Sequence, residues 1–165
     1  MTTHRWILLA EDNTNDADLT MRALSANQAP TEVVLANDGA EALDCLYRRG
    51  AFQTRDNAPP AVVLLDLKMP RVDGLEVLRQ IKNDAALKNI PVVVFTSSKE
   101  GADLARTYQL GANAYVVKPL GFQEFVATLK DVKKFWLVIN EPPPDPVRAA
   151  VTADRQPQSQ LASAA

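Results

Sequence analysis

The chain has 165 residues, 47% of them hydrophobic and 23% charged, the balance of a soluble globular protein of about one domain with room for a real core. Its 18 basic and 20 acidic residues are mixed along the sequence and sum to a net charge of −2, which argues against a nucleic-acid surface. No apolar stretch approaches the ~20 residues of a membrane span, the N-terminus does not read as a secretory signal, and the single Cys45 excludes an internal disulfide, so a cytoplasmic setting is expected.

The first apolar run, "WILLA" (6–10), reads as a strand. The stretch 13–28 then carries Ala17, Thr20, Met21 and Leu24 at the spacing of an amphipathic helix. "TEVVLA" (31–36) is a second strand. "NDG" (37–39) supplies capping residues for a helix with Leu43, Leu46 and Tyr47 on its apolar face, ending at Gly50. The connection 51–60 is polar and longer than the usual ~2–6 residues between a helix and a strand. "AVVLLD" (61–66) is a short apolar strand closed by a carboxylate. Leu75, Leu78 and Ile81 mark a third helix, with Asp73 in the turn before it or at its N-terminus. "IPVVVFTSS" (90–98) gives a fourth strand, a helix over about 100–110 ends at Gly111, "AYVVKP" (114–119) is a fifth strand, and 121–139 is the last helix.

Strand and helix alternate five times, which predicts an α/β fold: a doubly wound, five-stranded parallel sheet with helices on both faces. Residues 1–139 form the domain, and the Pro- and Ala-rich 140–165 reads as a disordered tail. Ligands of such sheets bind beyond the carboxyl ends of the strands. Those ends carry Glu11-Asp12, Asp66, Thr96 and Lys118. Three carboxylates placed together repel unless a cation neutralises them, and Mg²⁺ accepts one or two carboxylates together with a phosphate oxygen. Lys118 adds a compact positive charge, Thr96 a hydroxyl, and Asp66 a nucleophile able to form an aspartyl phosphate. Without the others, Glu11-Asp12 would read equally well as helix capping, and Thr96 as an ordinary strand-end residue. His4, near the terminus, reads as solvated, Cys45 as a small buried residue, and Trp6 as packing at the sheet's edge.

The segments "EDN" (11–13), "LLDLKMPRVDG" (64–74), "FTSS" (95–98) and "AYVVKPL" (114–120), in this order and on these strand ends, resemble the receiver domains of two-component response regulators over residues 5–139. That resemblance implies a flavodoxin-like (βα)5 sheet of order 2-1-3-4-5. It implies Asp66 as phosphoacceptor, Lys118 as phosphate partner, and Thr96 with Tyr115 as a switch pair. The implied Mg²⁺ ligands are Glu11, Asp12, Asp66 and the backbone carbonyl of Lys68, and Pro119 would follow a cis bond. Lys68 and Ser98 occupy positions linked to dephosphorylation. The implied partners are a histidine kinase and a downstream histidine phosphotransfer protein, and the chain would be a signalling module rather than an enzyme, apart from removing its own phosphoryl group. The long 51–60 connection and "FWL" (135–137) are similar to single-domain regulators that serve phytochromes, which points to a bacteriophytochrome kinase. Two other readings remain at this stage: a phosphatase of the haloacid dehalogenase type, which needs a second acid where Lys68 stands, and a receiver-like domain that binds partners without phosphorylation. In the last helix Phe122, Phe125, Val126, Leu129, Val132 and Trp136 form a core stripe. Phe135, Leu137, Val138 and Ile139 leave it, which predicts a homodimer through the last strand and helix.

Overall fold

The computed structural model describes residues 5–26, 31–56 and 58–144. His4 and residues 145–165 of the expected tail lie outside the described residues. Five strands, β1 (Trp6–Ala10), β2 (Glu32–Ala36), β3 (Val62–Leu65), β4 (Val92–Thr96) and β5 (Ala114–Val117), form one parallel sheet of order β2-β1-β3-β4-β5. Five helices connect and follow them: α1 (Thr14–Ser25), α2 (Gly39–Tyr47), α3 (Gly74–Asn83), α4 (Gly101–Gln109) and α5 (Phe122–Lys134).

The central strands are apolar on both faces because both faces are covered. Leu8, Val63, Leu65 and Val92 pack with Leu43, Val77, Leu78 and Ile81 of α2 and α3. Ile7, Leu9, Leu64, Val93 and Phe95 pack with Leu24, Phe125 and Leu129 of α1 and α5. Three helices start at side-chain caps, Asn13, Asp38 and Asp73, each accepting a backbone N–H of the first turn. Asp73 is therefore the N-cap of α3. Thr107 is the single buried residue of α4, which makes α4 the most lightly anchored helix.

Several local expectations change. The helix after β2 stops at Tyr47, because Arg48 takes the left-handed conformation (φ 53°) two residues before Gly50. Residues Gly50–Phe52 form a 3₁₀ turn inside the long connection. Trp6 is buried on an interior strand, with its indole N–H donating to the Ala58 carbonyl and Arg55 stacked on its ring. Cys45 is buried as expected, and burial pushes its thiol up to about 11. No peptide bond among the described residues is cis, so Lys118–Pro119 is trans, the form that X–Pro bonds prefer by ~0.5–1 kcal/mol.

The last helix departs most. Phe122 is 67% exposed and not part of the core stripe. As the first residue of α5 it projects beyond the sheet at its carboxyl edge, next to Leu120, which is 98% exposed. The α-helical pattern ends at Lys134, and Phe135–Ile139 form a π-helical turn. The extra residue in that turn shifts the helical phase. Leu137, expected off the core stripe, consequently packs with Trp136 against the α1/α5 side of the core, while Phe135, Val138 and Ile139 stay exposed. Arg5 ties this turn to β1 by donating to the Leu137 carbonyl.

Candidate functional site

Ladder hydrogen bonds continue one residue past three strands and fix the residues that carry the chemistry. Glu11 N–H donates to the Ala36 carbonyl (3.0 Å), Asp66 N–H to Ala10 (3.1 Å) and Lys118 N–H to Thr96 (2.7 Å). Each backbone is thus set by a neighbouring strand, and the three side chains meet beyond the sheet.

The Lys118 ammonium lies at their centre. It donates to Glu11 Oε2 at 2.6 Å, Asp66 Oδ2 at 2.9 Å and Asp16 Oδ2 at 2.9 Å. Lys118 is 7% exposed and Glu11 only 2%. Burial lowers the lysine's proton affinity, but its three carboxylate partners raise it further, so the ammonium stays charged. Burial pushes the Glu11 carboxyl up to about 7, against the pull of Lys118. Glu11 Oε1 also accepts the Asn13 N–H at the start of α1. The exposed Asp12 joins Glu11 and Asp66 in a group whose ligand oxygens lie within 4.8 Å of one another, the spacing and chemistry of a hard-cation site.

Thr96 ends β4 almost fully buried, and its hydroxyl oxygen accepts the Ser98 N–H (3.3 Å). Tyr115 on β5 donates its hydroxyl to the Ser98 carbonyl (3.0 Å). The two residues are therefore linked through Ser98. The Ser98 hydroxyl turns away toward α4 and donates to Asp103 at 2.6 Å. Lys68 is exposed, with its N–H 3.5 Å from Asp66 Oδ1. Gly74 lets α3 press against the loop after β3, since a Cβ there would collide with the Asp66 carbonyl oxygen.

Every side chain anticipated at the strand ends is at this edge. Asp16 was missed: it lies in the first turn of α1 and ends no strand. A signal was present, since an acid at the third position of a helix beginning right after Glu11-Asp12 faces the same edge.

The response regulator receiver domain model matches residues 7–130. The chain belongs to that family. This sets aside the haloacid dehalogenase reading, and receiver domains are in general signalling domains rather than enzymes. Among relatives of the receiver domain, the probable methanogenesis regulatory protein FilR2 of Methanothrix harundinacea is 42% identical over 137 residues, covering 83% of this chain and 86% of that protein. The phosphorylated cyanobacterial phytochrome response regulator RcpA superposes with a TM-score of 0.81 at 37% identity, covering 86% of this chain and all of that one. The bacteriophytochrome response regulator AtBRR is 51% identical with a TM-score of 0.68, covering 85% of this chain and all of that one. Among the described residues of the receiver domain, no helix is long and apolar enough to cross a membrane.

Proposed function

We propose that this protein is the phosphoryl-accepting regulator of a two-component pathway, taking phosphate from a histidine kinase onto Asp66 with Mg²⁺ at the same cluster. The observation that carries the reading is the Lys118 ammonium, 2.9 Å from Asp66 Oδ2 and shared with Glu11, at the carboxyl edge of the sheet. Glu11, Asp12 and Asp66 would hold the cation, with the Lys68 carbonyl as a further ligand. When bound, Mg²⁺ supplies neutralising charge for the phosphoryl oxygens.

The Asp66 carboxylate forms an O–P bond while the P–N bond of the donor phosphohistidine breaks. The electron pair stays on the imidazole nitrogen, which takes a proton. Lys118 donates to a phosphoryl oxygen. The Thr96 hydroxyl swings from the Ser98 N–H to another, and Tyr115 follows through the Ser98 carbonyl. Hydrolysis of the aspartyl phosphate would reset the protein, at a rate to which Lys68 and Ser98 would contribute.

The exposed Leu120 and Phe122 flank a groove of about 290 Å³ that includes Asp16, Leu19 and Lys118. Apolar side chains of the kinase segment that presents the donor histidine would dock on this rim. The 51% identity to a bacteriophytochrome regulator favours a bacteriophytochrome kinase. Output passes by protein contact or to a histidine phosphotransfer protein, and the exposed end of the last helix supports a homodimer.

The test is labelling by acetyl phosphate and by purified kinases. Wild type should take up acid-labile phosphate and lose labelling when Mg²⁺ is chelated, and Asp66→Asn should take up none while staying folded. Undiminished labelling of Asp66→Asn would place the acceptor elsewhere, and an unlabelled wild type would favour a domain that binds without phosphorylation.

A further inference from the structure

We infer that Asp16 is a positioning residue for phosphoryl transfer, a third anchor that holds the Lys118 ammonium over Asp66; the inference rests on the reading above. An ammonium has three N–H donors. Here all three end on carboxylates, Glu11 at 2.6 Å, Asp66 at 2.9 Å and Asp16 at 2.9 Å. Two of these acceptors have other duties. Glu11 and Asp66 belong to the group of possible metal ligands, and phosphorylation turns the Asp66 carboxylate into an acyl phosphate, a mixed anhydride. Asp16 is outside that group, so its bond to Lys118 is the one that neither metal loading nor phosphorylation of Asp66 draws on.

Lysine needs such an anchor more than arginine would, because its charge rides on a flexible four-carbon stem. Lys118 also borders the open groove with Leu120 and Phe122, toward which a freed ammonium could swing. Asp16 itself is well fixed. Its N–H donates to Asn13 Oδ1 at 3.0 Å, and an acid in the first turn of α1 is favoured by the helix dipole. The Asp16 side chain is 37% exposed, so water screens the bond, and a moderate effect is expected rather than loss of function.

The competing account is that Asp16 only stabilises the start of α1. The experiment measures the initial rate of labelling of the full chain by acetyl phosphate across a Mg²⁺ series, with thermal unfolding of each variant alongside. Asp16→Ala should lower the rate at saturating Mg²⁺ about fivefold, with the half-saturating Mg²⁺ concentration unchanged. Asp16→Asn, which keeps an oxygen acceptor in place, should recover the rate to within about twofold of wild type. A wild-type rate in Asp16→Ala, whatever its unfolding temperature, would overturn the inference alone. A change confined to half-saturating Mg²⁺ would also overturn it and make Asp16 a metal ligand. An unlabelled wild type, or an Asp66→Asn variant labelled like wild type, would overturn the underlying reading as well.

Discussion

Burial raises the Glu11 carboxyl to about 7 while Lys118, 2.6 Å away, opposes the shift, so in the folded protein this acid holds its proton more tightly than its ordinary value of 4.5. The sign of the consequence follows from linkage. The folded state binds more protons than the unfolded chain between about pH 4.5 and 7, so Glu11 favours the fold below that window and the advantage is lost as pH rises through it. A cation requires the ionised carboxylate. Metal binding should therefore release a proton and tighten as pH rises through the same window. Calorimetric titration with Mg²⁺ below and above it, in buffers of different ionisation enthalpy, measures both effects. Glu11→Gln should abolish the proton release and weaken binding at either pH.

The glycines that open two helices make opposite demands. Gly74 begins α3 where a Cβ would collide with the Asp66 carbonyl oxygen, whereas Gly101 begins α4 with nothing near the same position. Gly74→Ala should destabilise the protein by about 1–3 kcal/mol through overpacking and displace the Asp66 backbone. Gly101→Ala should stabilise by roughly 0.4–1 kcal/mol by restricting the unfolded chain. Urea unfolding midpoints compare the two directly. At the start of α5, the exposed Phe122 contributes little to the core. Phe122→Ala should leave unfolding within about 0.5 kcal/mol of wild type, as for surface substitutions. It should slow phosphotransfer from a kinase while sparing labelling by acetyl phosphate. Equal slowing with both donors would mean that Phe122 acts on the site rather than on docking.

Among the described residues, large apolar side chains are exposed at three places: Leu104 and Tyr108 on α4, Leu120 with Phe122 beside the cluster, and Phe135 with Val138 and Ile139 at the end of the last helix. Burial of a large apolar side chain is worth roughly 1.5–3 kcal/mol, so a few clustered at a two-fold interface suffice for association. The dimer reading predicts a dimer of the unphosphorylated chain in sedimentation at micromolar concentration. Phe135→Glu and Ile139→Glu should give folded monomers. Leu137→Glu is a poor probe because Leu137 packs against the α1/α5 core, and its loss would mix unfolding with dissociation. A wild-type monomer whose mass does not change on phosphorylation would overturn the reading.

The architecture was legible in the sequence because parallel strands covered on both faces must be short apolar runs, and the helices between them must show one stripe. The acids, hydroxyl and lysine at the strand ends were legible for the same reason: a charge closing an apolar strand leaves the core only at the sheet's edge. For Asp16 the sequence offered only its place in the first turn after Glu11-Asp12; its bond to Lys118 joins residues 102 positions apart and was decided by the tertiary structure. The partition of the last helix was also decided by tertiary structure. A stripe drawn at 3.6 residues per turn places Leu137 outside the core, and the π-helical turn, tied by Arg5 to β1, brings it back. Phe122 fits the stripe in phase but lies beyond the sheet that the stripe covers, and only the length of β5 relative to α5 reveals that.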